Sequence, residues 1–160
     1  MITLHDFEPL LDGQVPAHSV DADGAWRLAD GTRMRLEQNG DRRRIVLDGF
    51  AGVRRIGSIG VRLGAGNVRQ YLRNGYMSWD GSFFVEPGAA RDVVSADPSL
   101  VNGYAMTALL PHGGDGITVI GFLRHDSYQS RFRFDISGPL RIDMESLIDR
   151  VPHTGEIASE

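Results

Sequence analysis

The chain contains no cysteine. That excludes disulfides, thiolate nucleophiles, iron–sulfur clusters and cysteine-ligated zinc. It contains no lysine either, so all 17 basic residues are arginines. Schiff-base and pyridoxal-phosphate chemistry, which need a lysine amine, are excluded, as is a phosphate loop of the Walker type. Long hydrophobic runs are also missing. The longest, Ile117 to Leu123, is far short of the roughly 20 apolar residues of a membrane-spanning helix. The first eleven residues lack the basic and apolar regions of a signal peptide. A net charge of −4 argues against nucleic acid as a partner. These absences predict a soluble, cytoplasmic protein without a membrane or nucleic-acid partner and without a cofactor.

Glycine, by contrast, is abundant: 20 of 160 residues, where about 7% is usual. Nine Asp-Gly or Asn-Gly pairs punctuate the chain: Asp12-Gly13, Asp23-Gly24, Asp30-Gly31, Asn39-Gly40, Asp48-Gly49, Asn74-Gly75, Asp80-Gly81, Asn102-Gly103 and Asp115-Gly116. Such pairs tolerate positive φ and close tight hairpins. Between them lie segments of period two. Ile59, Val61 and Leu63 alternate with Gly60 and Arg62. Phe132, Phe134 and Ile136 alternate with Arg131, Arg133 and Asp135. Leu140, Ile142 and Met144 alternate with Arg141 and Asp143. Apolar–polar alternation marks antiparallel strands with one wet face. The pattern predicts an all-β fold, an antiparallel β-sandwich of about ten to twelve strands. Residues 1–150 are expected to form one domain, with 151–160 a connection or frayed tail.

The predicted core comprises Trp26, Leu36, Ile45, Leu47, Val61, Leu63, Leu109, Val119, Phe122, Phe132, Phe134, Leu140, Ile142 and Met144. The segment from Ala105 to Leu110, a turn at Pro111 to Gly116 and the segment from Ile117 to Leu123 predict a hairpin. Its second arm is apolar on both faces, so a central position is expected. Alternation lapses from Pro87 to Gly103, where a short helix around Ala89 to Val94, or a long loop, is expected.

One stretch carries chemical information: Tyr71-Leu72-Arg73-Asn74-Gly75-Tyr76-Met77-Ser78-Trp79-Asp80. It holds two of four tyrosines and one of two tryptophans. Asn74-Gly75 bends the chain. Tyr76 and Trp79, three residues apart, point to opposite sides of an extended strand unless a bulge intervenes. An exposed indole beside Ser78 and Asp80 suits a sugar: the ring covers the C–H face, and the polar groups meet the hydroxyls. The competing interpretation is a core Trp at a strand end.

The run NGYMSW resembles the NGYQSW or NGWQSW motif of the N-terminal β-sandwich domain of family 36 glycoside hydrolases, the α-galactosidases. Ile120-Gly121-Phe122-Leu123 is similar to a following strand of that domain, and the order of elements agrees over about Ala25 to Val151. Met77 stands where the motif has Gln. The resemblance implies a sandwich that supports a catalytic barrel and brings Trp79, with Tyr76, Ser78 and Asp80, toward a galactoside pocket. The family's two catalytic Asp residues lie in the barrel, for which this chain is too short. No catalytic residue is therefore expected here, and the partners implied are a galactoside and the barrel. A stand-alone carbohydrate-binding module and a structural or homo-oligomerising sandwich are the alternatives.

Other candidates carry less. Asp80 and Glu86 could be imagined as a glycosidase carboxylate pair. His5, His18, His112, His125 and His153 show no metal-ligand spacing. His112-Gly113-Gly114 is similar to an esterase oxyanion loop, but no G-x-S-x-G elbow accompanies it. Arg42, Arg43, Arg44, Arg54 and Arg55 could suggest an anionic partner, but they stand beside Asp41 and Asp48 and lack interleaved aromatics.

Overall fold

In a computed structural model, residues 1–75, 81–91, 98–123 and 128–159 are described. The protein is all-β and antiparallel, with 58% of residues in strands and 4% in helix, as the alternation and turn pairs predict. Sixteen strands occur among the described residues, against the ten to twelve expected. The excess comes from pieces of two or three residues. The first eight are β1 (Thr3–Leu11), β2 (His18–Val20), β3 (Trp26–Leu28), β4 (Arg33–Asn39), β5 (Arg42–Asp48), β6 (Arg54–Arg55), β7 (Ser58–Gly66) and β8 (Val68–Asn74). The rest are β9 (Ser82–Val85), β10 (Asn102–Tyr104), β11 (Met106–Pro111), β12 (Thr118–Gly121), β13 (Gln129–Asp135), β14 (Arg141–Leu147), β15 (Pro152–His153) and β16 (Ile157–Ala158). One helical turn, α1 (Pro87–Ala90), follows β9.

The residues divide into two compact units. The first is Met1–Phe7, Arg62–Leu123 and Ser130–Met144; the second is Glu8–Val61, Arg124–Gln129 and Glu145–Glu160. Strands β1, β7, β13 and β14 contribute residues to both.

The first unit is two-layered. One sheet has the order β1-β7-β14-β13-β10, the other β12-β11-β8-β9. Their facing sides enclose one core: Leu63, Phe132, Phe134 and Ile142 from the first, Tyr71, Val85 and Leu109 from the second. Tyr71 stacks on Phe134 with ring centroids 4.1 Å apart. Its hydroxyl donates to the Leu100 carbonyl at 2.8 Å, which satisfies the one polar atom the ring buries. Burial pushes the Tyr71 pKa well above the usual phenol value. Asn102-Gly103, predicted as a turn, lies inside β10. A Cβ on Gly103 would stand 3.3 Å from the Phe134 ring, so glycine serves close packing here.

The arm from Ile117 to Leu123 is not central. The β11–β12 hairpin forms as expected, but β12 is an edge strand. Ile120 and Phe122 turn toward the core. Val119, predicted as core, is 60% exposed, and Ile117 and Leu123 are exposed too. Continuous hydrophobicity predicts double-sided burial, whereas only one face is covered by the described residues. Leu36, Phe122 and Met144 are half-buried, and the remaining ten predicted core residues are buried.

The second unit holds the sheet β16-β5-β4-β3-β2 and the pair β15-β6. Residues 151–160, expected as a connection or frayed tail, carry β15 and β16. Ile157 is buried opposite Leu47, and the Ser159 hydroxyl oxygen accepts the Ile45 N–H at 2.8 Å. Gly40-Asp41 closes β4 onto β5 as a two-residue loop after the last pair, Asn39 with Arg42, and Gly40 sits at φ +60°. Asp149 and Arg150 form a second tight turn, both at positive φ, with the Val151 N–H on the Ile148 carbonyl. A side chain in this left-handed region costs about 1 kcal/mol or more.

Arg150→Gly is therefore expected to stabilise the protein by about 0.5–1 kcal/mol, the relief of strain less the larger entropy of an unfolded glycine. A rise in urea midpoint at constant m-value would register it. The Asp135 carboxyl is held below its ordinary pKa by the Ser137 hydroxyl and N–H, against the opposing effect of burial. Its contribution is complete above the unfolded-state pKa of about 3.9 and fades as pH falls through the lower folded value. Ser137→Ala should move the Asp135 titration toward 3.9 by NMR and lessen stability above that pH while leaving it unchanged at the acid end.

Candidate functional site

The motif run sits at the end of a hairpin. β8 and β9 pair antiparallel, Tyr71 opposite Val85, and the last pair is Asn74 with Ser82. Residues 75–81 connect them. Tyr76, Met77, Ser78, Trp79 and Asp80 lie outside the described residues; of the predicted site residues, none is therefore placed.

The two ends of the connection are held by side chains. Asn74 uses both ends of its amide: Nδ2 donates to the Tyr104 carbonyl at 2.8 Å, and Oδ1 accepts the Ser82 hydroxyl at 2.7 Å. Ser82 Oγ in turn accepts the Gly75 N–H at 3.2 Å. Arg73 is 2% exposed. It donates from Nη1 to the Gly81 carbonyl at 2.9 Å, and its guanidinium lies 5.7 Å from the Phe83 ring centroid. A buried guanidinium is tolerated because a carbonyl and an aromatic face replace part of its water. The sequence reason is alternation. Tyr71 and Arg73 share a face, so the residue two beyond the core tyrosine reaches the end of the same core. Asn74 is thus a clasp across the mouth of the hairpin and not the bend of a tight turn.

Arg73, Ser82, Phe83 and Phe84 were not singled out from the sequence. A signal existed: Tyr71, Tyr76, Trp79, Phe83 and Phe84 are five of thirteen aromatics within fourteen residues. Phe83 and Phe84 are 41% and 44% exposed, on an edge strand.

The other candidates resolve locally. Glu86 is exposed ahead of α1, and its suggested partner Asp80 lies outside the described residues. Among the described residues no group of three or more His, Asp or Glu could hold a metal; His125 lies outside them. His112, Gly113 and Gly114 are exposed in the β11–β12 connection, where His112 N–H bonds Asn67. Arg44 faces Glu37 and Glu156, and Arg54 faces Asp30 and Thr32.

The chain matches no family model, and no curated protein and no solved structure matches it.

Asn74→Ala should cost about 1–3 kcal/mol in urea unfolding, because it strands the partly buried Tyr104 carbonyl. Asn74→Asp keeps an acceptor for Ser82 but sets a carboxylate against the Tyr104 carbonyl. It is expected to be at least as damaging; an Asp variant of wild-type stability would show that the bond to Tyr104 contributes nothing.

Proposed function

We propose that this chain is the non-catalytic β-sandwich part of an α-galactosidase-like glycoside hydrolase. In this reading it supports a catalytic barrel and brings Trp79 to the rim of the sugar site. The observation that carries the reading is that NGYMSW falls at a hairpin mouth clasped by Asn74, Ser82 and Arg73. Anchored ends lower the entropy that a binding loop loses on meeting its ligand. Trp79 would supply a stacking face, and Tyr76, Ser78 and Asp80 would supply hydroxyl and carboxylate contacts to a galactoside.

A second observation favours a packing partner over a free-standing module. On the outward side of the four-stranded sheet, Val119 stands opposite Ala108, Met106 opposite Gly121 and Phe84 opposite Leu72. Val119, Met106 and Phe84 are all exposed. Apolar side chains shared across one sheet face suit a surface covered by another domain.

In a polypeptide that joins this chain to its barrel, Trp79→Ala should raise KM for an aryl α-galactoside about tenfold, the loss of one stacking contact of about 1–1.5 kcal/mol. Unchanged KM and kcat would remove the proposed role. Titration calorimetry of the 160-residue chain alone tests the carbohydrate-binding-module alternative, which requires galactoside affinity without the barrel.

A further inference from the structure

The sequence holds three Asn-Gly pairs: Asn39-Gly40, Asn74-Gly75 and Asn102-Gly103. In such a pair the backbone nitrogen of glycine can attack the asparagine carboxamide, because glycine sets no Cβ in the way. In an unfolded chain all three are open to this reaction. Folding separates them. Asn74 has both ends of its amide engaged, Nδ2 on the Tyr104 carbonyl at 2.8 Å and Oδ1 on the Ser82 hydroxyl at 2.7 Å. The nitrogen that would attack it, that of Gly75, donates its N–H to Ser82 Oγ at 3.2 Å. Asn102 lies inside β10, opposite Arg133. Gly103 is buried opposite Phe132, and a Cβ on it would stand 3.3 Å from the Phe134 ring. Neither backbone can turn its nitrogen onto the carboxamide without first giving up these contacts.

Asn39-Gly40 is the opposite case. Both residues are exposed at the tip of the β4–β5 hairpin. Nothing lies within 4 Å of the place a Gly40 Cβ would take. The Gly40 carbonyl accepts from Gln38 Nε2 at 3.1 Å. The Gly40 N–H and the Asn39 carboxamide have no hydrogen-bond partner among the described residues. Burial stops well short of the tip. Met34 and Ile45–Leu47 are buried, whereas Gln38, Asn39, Arg42 and Arg43 are exposed. Opening the terminal pair, Asn39 with Arg42, therefore frees the Asn39 backbone without disturbing the core.

We propose that Asn39 is a site of self-modification, converted through a succinimide to aspartate and isoaspartate while the protein stays folded. The Gly40 nitrogen loses its proton to hydroxide and attacks Asn39 Cγ. The N–Cγ bond forms and the Cγ–Nδ2 bond breaks. Nδ2 takes a proton from water and leaves as ammonia. Water then opens the ring at either carbonyl, and it is the only co-reactant. Opening at Cγ restores the normal backbone and places an aspartate opposite Arg42, a favourable cross-strand pair. Opening at the backbone carbonyl leaves isoaspartate, whose main chain is longer by one methylene. A two-residue loop cannot absorb that length in register, so the terminal pair is lost. The pairs Met34 with Leu47 and Leu36 with Ile45 lie nearer the core and persist. Either product adds one negative charge at the tip. The site is far along the chain from the motif run, and it does not depend on the sugar-binding interpretation.

The test is peptide mapping by mass spectrometry of the folded 160-residue chain held in mildly alkaline buffer, with a parallel sample in urea. Each converted peptide gains about 1 Da, and its isoaspartate form separates from the aspartate form by chromatography. In the folded chain the Asn39 peptide should convert at least tenfold faster than the Asn74 and Asn102 peptides, and in urea the three rates should converge to within about threefold. The Asn39 rate should rise with pH. Asn39→Gln, whose longer side chain closes the ring poorly, should abolish the fast gain of negative charge and leave circular dichroism unaltered. Equal rates at the three pairs in the folded chain would overturn the proposal. So would a tenfold difference that persists in urea, because sequence and not the fold would then set it, or a fast charge gain that survives Asn39→Gln.

Discussion

The stack of Tyr71 on Phe134 joins the two layers of the first unit, and both the anchorage of the motif hairpin and the outward arginines of β13 are consequences of it. Tyr71 belongs to β8, Phe134 to β13, and their rings meet at 4.1 Å. Because side chains alternate along a strand, fixing one residue inward fixes its neighbours. Tyr71 inward carries Arg73 to the end of the core, where it meets Gly81 and Phe83. Phe134 inward, with Phe132, sends Arg133 and Arg131 to the far side of the sheet. A one-residue slip of β13 would bury arginines and expose phenylalanines. Core burial therefore enforces the placement of the polar groups, which have no strong positional preference of their own.

The same logic explains what the sequence made legible. β13 and β14 alternate strictly, and Phe132, Phe134 and Ile142 are buried where the alternation puts them. The hairpin of β11 and β12 was marked by its glycine-rich connection. The position of β12 in the sheet was not, because a run apolar on both sides describes an interior strand and an edge strand with an exposed apolar face equally well. Dipeptide signals failed in the same way. Gly40 starts the two-residue loop after Asn39 at positive φ, whereas Gly103 is needed for the approach of Phe134. Glycine answers both requirements, and only the tertiary neighbour distinguishes them. The two short strands of the tail were not legible, because Ile157 and Ser159 are isolated in a polar stretch. Their burial depends on β5, more than a hundred residues earlier.

For the candidate site, sequence supplied the motif and its aromatic content but not its anchorage. The clasp of Asn74, Ser82 and Tyr104 joins residues up to 30 positions apart, and a buried arginine two residues after a core tyrosine has no local signature. The hold of Arg62 and Arg133 on Asp143 was legible only as alternation on separate strands. Its assembly required the order β7-β14-β13, which periodicity does not encode.

Arginine as the sole basic residue matters most at Asp143. A lysine in place of Arg62 would present one ammonium where the carboxylate now receives two parallel bonds at 2.7 and 2.9 Å. It would bring a mobile point charge in place of a fixed plane. The buried aspartate is thereby satisfied along directions set by the sheet. Strand β10 ties this sheet to the motif hairpin. The Tyr104 carbonyl accepts from Asn74, while Tyr104 stands opposite Arg131. One residue thus anchors the hairpin mouth through its backbone and keeps its place beside β13. Substitutions of its side chain leave the bond to Asn74 in place.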